Sequence, residues 1–272
     1  DYLPLSKYAE DDDLRLSLYK EFRTRGYPAN EAVLEGLLKK RYELAQILGY
    51  KNYAQYITED LMIKSPENAQ EFIDKINTMA RTAADGDYKT LLKRLQKIEP
   101  NAKVVGDWQK TYLENLVKKE HYQVDSQQVR QYFLYENVRQ GIFDLSALLF
   151  GVDIRPWATE VWHPSVEAYE IYENGMLIGQ FYLDMHPREG KYKHAAAFGV
   201  QDGVKGVQLP ISALICNFPG GDGSDGLMEH GQVETFLHEF GHLLHGIFGG
   251  HQKWMAHSGI KTERDFVEAP SQ

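Results

Sequence analysis

Through most of the first 150 residues, apolar positions recur every three or four places, the period of a helix with one buried face. "NEAVLEGLLKKRYELAQILGY" sets Val33, Leu37, Leu44 and Leu48 on one stripe, with Asn30 as the capping residue and Gly49 as the stop. "SPENAQEFIDKINTMARTAADGDYKTLLKRLQKI" opens on Ser65-Pro66, a cap followed by proline at the first helical position. Its stripe is Phe72, Ile76, Met79 and Ala83. Further on, the lysines and arginine of "LLKRLQK" read as a solvated face, because Leu91, Leu92 and Leu95 turn the other way. "DWQKTYLENLVKKEH" and "DSQQVRQYFLYENVRQGIFDLSALLFG" continue the helical pattern.

After Pro156 the period shortens. In "AYEIYENGMLIGQFYLDMH", Asn174-Gly175 separates two strand-like runs, the strongest short-range signal of a hairpin. "KYKHAAAFGV" and "GVQLPISALICNF" read as further strands, punctuated by Pro187, Gly190, Asp202-Gly203 and Gly206. The segment 219–226, "PGGDGSDG", is a loop too acidic for a phosphate cradle and without a Gly-Lys-Ser/Thr ending. A helix is expected from about Gln232 to Phe248. A helical lobe thus leads to a small antiparallel sheet, and the sheet to this last helix.

Composition narrows the function classes. The 272 residues are 43% hydrophobic and 25% charged, enough for a core, and the net charge of −9 is opposite to a nucleic-acid footprint. No run is long enough to span a bilayer, and no membrane partner is expected. The N-terminal "DYLPLSKYAEDDDLRL" has neither the basic nor the apolar part of a signal peptide, and it lacks an initiator methionine, as a processed chain or a fragment would. A lone thiol, Cys216, cannot form an internal disulfide and reads as a small buried hydrophobe in an apolar run. A cytoplasmic setting is the expectation.

The chemistry concentrates in "TFLHEFGHLLHGIF". His238 and His242 lie one turn apart, about 6 Å along the axis, so both imidazoles can close on one metal ion. His245 stands about 10.5 Å from His238 on a straight helix, too far for all three to converge, and is assigned to packing or to the second layer around the metal. Glu239 occupies the place that an HExxH pattern reserves for a carboxylate base. Gly241 is costly inside a helix, by roughly 1 kcal/mol against alanine, and suggests the close approach of another backbone or of a substrate. The residues after His242 exclude a third histidine at the metzincin position, since Phe248 stands there. A carboxylate from "TERDFVEAPSQ" would complete the set, and spacing leaves Glu263, Asp265 and Glu268 all open.

"VETFLHEFGHLLH" followed by "SGIKTERDFVEAPSQ" resembles the thimet oligopeptidase and neurolysin family of zinc oligopeptidases, which also includes oligopeptidase A and dipeptidyl carboxypeptidases. The likeness extends through "GQFYLDMHPREGKYKHAAAFG", "ISALICNF" and "LEGLLKKRYELAQILGYKNYAQY". It implies a mainly α fold, with helical lobes around a peptide channel, a small antiparallel sheet beside the HExxH helix and a gluzincin-type zinc site. Residue by residue it implies His238, His242 and Glu268 as ligands of one Zn²⁺ and Glu239 as general base. Asp265 is a candidate for orienting a ligand from behind. His186 and His194, near the family's cleft, carry no assigned role. "ALICNF" is similar to the strand that lines the family's channel, where an edge strand could hold a peptide by strand addition. The implied organisation is a helical lobe over 1–155 and a catalytic part over 156–272, from a longer family chain whose C-terminal segment would be a further partner. Substrates would be short peptides, cleaved internally or, in the dipeptidyl carboxypeptidase alternative, two residues from the C-terminus. The alternative from another class is a zinc- or peptide-binding piece without catalysis.

Overall fold

We describe the chain from a computed structural model that covers residues 2–221 and 225–272. The loop expected over 219–226 lies partly outside the described residues. Packing divides the chain into two units, Asp1–Asp125 and Ser126–Gln272.

The first unit is helical, with α1 (Tyr2–Tyr8), α2 (Asp12–Arg23), α3 (Glu31–Ile47), α4 (Tyr53–Thr58), α5 (Pro66–Gln96) and α6 (Asp107–Tyr122). α5 starts where its sequence asks: the Asn68 amide donates to the Ser65 hydroxyl at 3.1 Å, and Pro66 has no amide to leave unpaired. Asp12 joins α2 to α6. Its carboxylate accepts from Arg15 at 2.6 Å, Trp108 Nε1 at 2.9 Å and Gln109 at 3.0 Å. Burial opposes the Asp12 charge, and these three donors outweigh it, holding the carboxyl below its ordinary value.

The stripes on α3 and α5 have the helical spacing but not the burial that usually comes with it. Val33, Leu37, Leu44 and Leu48 are exposed, as are Phe72, Ile76 and Met79, and no element among the described residues covers them. Periodicity fixes which face of a helix is apolar. It does not supply a neighbour.

The second unit contains α7 (Ser126–Val129), α8 (Tyr135–Phe150), β1 (Val152–Pro156), β2 (Glu167–Glu173), β3 (Met176–Asp184), β4 (Ala196–Gln201), β5 (Ile211–Ile215) and α9 (His230–Phe248). Two local expectations change here. The run from Asp125 to Gly151 is not one helix, because the backbone at Phe133–Tyr135 bonds to 226–228 instead: Met228 N–H donates to Phe133 O at 2.8 Å, and Tyr135 N–H to Gly226 O at 2.9 Å. Val152–Pro156, read as the end of the helical region, is a strand, with Ile154 opposite Ile171. The 155/156 division drawn from periodicity therefore falls near the passage from helix to sheet, while α8 packs with the second unit.

Asn174 and Gly175, both with positive φ (51° and 78°), turn β2 into β3 with Glu173 opposite Met176. The sheet order is β1-β2-β3-β5-β4. It is small, as expected, but mixed rather than antiparallel throughout. β4 and β5 pair antiparallel, and the insertion of β5 between β4 and β3 makes it run parallel to β3. Ile171, Phe181, Leu183 and Leu214 are fully buried. The rings of Phe143 on α8, Phe181 on β3 and Phe240 on α9 meet edge to face or tilted, with Phe181 and Phe240 centroids 5.8 Å apart. Among the described residues, no helix is long and apolar enough to cross a membrane.

Candidate metal centre

On α9 the core face is Phe236, Phe240, Leu243 and Ile247, each almost wholly buried. Positions 238 and 242 follow 236 and 240 by two residues, about 200° around the helix, so both histidines lie off this core face, and His242 borders a cleft beside β4. The helix start is held by its backbone, where the Glu229 N–H donates to the Gln232 side-chain oxygen at 2.8 Å. Burial of one face thereby aims the other.

His238 Nε2 lies 3.2 Å and His242 Nε2 3.1 Å from the same oxygen, Oε2 of Glu268. One ligand atom from each of the three residues falls within 4.8 Å of the others. Ligand atoms about 2.0–2.1 Å from a shared ion in tetrahedral array stand about 3.3 Å apart, close to the two separations involving Glu268. Two imidazoles and a carboxylate also form a donor set that suits zinc. His242 Nδ1 is buried with no hydrogen-bond partner among the described residues, although a ligating imidazole usually donates that N–H to a second group.

Of the three open carboxylates, Glu268 is the one that meets both imidazoles. Glu263 accepts from the Thr262 hydroxyl at 3.1 Å, and Asp265 is exposed on the same segment. Glu239 is half-buried and makes no hydrogen bond or ion pair among the described residues. His245 stands outside the cluster. Its Nδ1 is buried without a partner, and burial, reinforced by the charge of His242, pushes its pKa down. Gly241 does admit another backbone: a Cβ there would sit 2.9 Å from Pro270 O and 2.9 Å from Ser271 Cα.

Sequence reasoning missed two features. Ser271, nine-tenths buried, places its hydroxyl 2.8 Å from Glu268 O and 3.2 Å from Glu268 Oε2. No motif or period marks that contact. The other is a charged cluster inside "DMHPREGKYK", read above as two strand ends punctuated by Pro187 and Gly190, although the strand after it begins only at Ala196. Lys191, with its side chain 3% exposed, donates to the carbonyls of Asp184 (2.9 Å), His186 (2.6 Å) and Cys216 (2.5 Å) and pairs with the Asp184 carboxylate at 3.0 Å. Burial disfavours the Asp184 charge, but donors from Arg188, Trp162 and Lys191 prevail and bring its pKa down to about 2. This cluster ties the end of β3 to the residue after β5. Beside it, burial and then the nearby Glu239 carboxylate push the Cys216 thiol up to about 12. His186 packs edge to face on Tyr135, and the backbone carbonyl of His194 faces the Asn217 amide at 3.4 Å; neither imidazole belongs to the cluster of ligand atoms.

The strand containing "ALICNF" is an interior one, paired on both sides by β3 and β4, so it has no free edge for another strand. The outer strands are β1 and β4, and on β4 Phe198, Gly199 and Val200 are exposed. A cleft of about 230 Å³ runs between β4 and His242, lined also by Asp202, Ser212, Gly259 and Lys261.

His238, His242 and Glu268 thus form a helix-borne group of side chains that could hold a metal ion. A family model for peptidase family M3 matches residues 5–272, and the chain belongs to that family. It is 33% identical to a thimet-like oligopeptidase of Dictyostelium discoideum, over all of this chain and 43% of the relative. It is also 33% identical to oligopeptidase A of Salmonella typhimurium, over 100% of this chain and 42% of that protein. Saccharolysin of Saccharomyces cerevisiae is 30% identical over 100% and 41%. The chain thus spans less than half the length of these relatives.

Proposed function

We propose that this chain carries the zinc-ligand part of a metallopeptidase that hydrolyses short peptides, with His238, His242 and Glu268 holding one Zn²⁺. The observation that supports this most directly is the shared contact of both Nε2 atoms with one Glu268 oxygen. Zinc, when bound, lowers the pKa of water to about 7 and polarises a carbonyl. Glu239, one residue from a ligand and free of other partners, takes a proton from the attacking water and returns it to the leaving amine. The exposed edge of β4 offers backbone groups to an extended peptide, which would hold it beside His242 without reading much sequence. Asp265 and His245 remain proposals for residues that act behind the ligands. Members named as oligopeptidases support peptides as the substrate class, and a cytoplasmic setting belongs to the same reading.

Zinc content and peptide turnover test this together. Glu239→Gln should keep one zinc per chain and lose hydrolysis of short peptides, and undiminished turnover would remove Glu239 from its role. Glu268→Ala should lower zinc occupancy strongly, with unchanged metal content pointing to Glu263 or Asp265. Coverage of less than half the relatives favours testing a second reading, a chain that binds zinc without turning over peptide. Stoichiometric zinc with no hydrolysis of any peptide length would select it.

A further inference from the structure

Glu268 is the outlying ligand of the cluster. Its side chain is 61% exposed, it sits on a different segment from the two histidines, and a carboxylate on a flexible chain needs something to aim it. Among the described residues only Ser271 and the two imidazoles reach that carboxylate. We propose that Ser271 is a positioning residue that registers Glu268 against α9, and that the missing side chain of Gly241 is what lets it do so. The inference rests on the zinc reading above.

The chain of contacts has three links. Gly241 precedes His242 on α9, and the backbone of Pro270–Ser271 lies in the space its Cβ would fill, with Pro270 O and Ser271 Cα each 2.9 Å from that position. This fixes residue 271 against the turn that carries both histidines. From there the Ser271 hydroxyl reaches back to Glu268, to its carbonyl at 2.8 Å and its Oε2 at 3.2 Å. One hydroxyl proton serves these acceptors in turn, and both belong to the same residue. The Ser271 amide adds a weaker bond to the same carbonyl at 3.3 Å. The third ligand is therefore measured off the helix that bears the other two, through one serine, and not from its own loop alone.

Removal of the hydroxyl should loosen Glu268 without touching the core, because Ser271 is small and lies at the rim of a groove. The test is competition for Zn²⁺ between the 272-residue chain and a chromophoric chelator, with thermal unfolding of the metal-free protein alongside. Ser271→Ala should weaken zinc binding about 10–100-fold, the usual effect of losing a group that orients a ligand. The metal-free midpoint should stay unchanged, and Ser271→Thr, which keeps a hydroxyl, should bind close to the unsubstituted chain. Gly241→Ala should weaken zinc by displacing the 270–271 backbone. Equal affinity in Ser271→Ala and the unsubstituted chain overturns the proposal. If Ser271→Ala fails to fold, Ser271→Val against Ser271→Thr makes the same comparison at nearly equal shape, and equal affinity there overturns it too. An unsubstituted chain that takes up no zinc is a separate result. It removes the metal-centre reading itself, and this inference with it.

Discussion

Replacing Asp184 by asparagine should destabilise the second unit by about 3 kcal/mol. The reason lies in what the change leaves behind. Lys191 would keep its charge with a side chain only 3% exposed, while its one carboxylate partner, 2% exposed and 3.0 Å away, is gone. Breaking a buried pair from one side costs about 3–5 kcal/mol, because the surviving charge is uncompensated. A second route gives a similar size. A carboxyl that ordinarily titrates at 3.8 and here titrates at about 2 is favoured in its charged form by about 2.5 kcal/mol. Three carbonyls still accept from Lys191 in the variant, which places the expectation at the lower end of the first range. The assay is urea unfolding of the unsubstituted chain, Asp184→Asn, Lys191→Met and the double variant, followed by near-ultraviolet circular dichroism. With two compact units the transition need not be single, so the second unit's own step is the one to compare. The double variant should be more stable than Asp184→Asn alone, since it removes the stranded charge. A cost below about 1 kcal/mol for Asp184→Asn, or a double variant worse than the two singles added, would refute the argument.

The same carboxylate predicts an acid limit. A folded pKa below the ordinary value contributes stability that is complete above pH 3.8 and is lost as pH falls toward 2. Asp12, also lowered, acts in the same direction in the first unit. Urea midpoints measured from pH 5 down to pH 2 should therefore fall, and Asp184→Asn should flatten the slope for the second unit; parallel slopes would contradict this. Cys216, fully buried with its thiol pushed up to about 12, should resist a disulfide-exchange reagent in the native chain and react once denatured. Rapid native labelling at neutral pH would mean that the strand end opens readily.

What could be read from the sequence follows the range of the interactions involved. Ser65-Pro66 starts a helix through contacts three residues apart, and Asn174-Gly175 turns a hairpin through its own φ angles, so both are written locally. The segments misread were those settled by a distant partner. Phe133–Tyr135 leaves the helix because 226–228 offers hydrogen bonds, and β1 forms because β2 is there to pair with it. The stripes on α3 and α5 show the limit from the other side: their period is plain in the chain, yet their exposure depends on what else is present to cover them.

For the site, the sequence by itself determined that His238 and His242 share a helix face, since 3.6 residues per turn allows nothing else once the helix forms. It also determined that His245 lies too far along the axis to join them. The family resemblance pointed to Glu268, whereas spacing left Glu263 and Asp265 equally open. Only the tertiary structure brings one Glu268 oxygen to both imidazoles, sets Ser271 behind it through the gap at Gly241, and makes β4, not β5, the edge strand beside His242. It alone makes Lys191 a buried clamp on three carbonyls. The physical reason is common to all of these. They depend on atoms that meet across long stretches of chain or through a fold of the backbone, and one-dimensional spacing records an order of residues but not which surfaces will be pressed together.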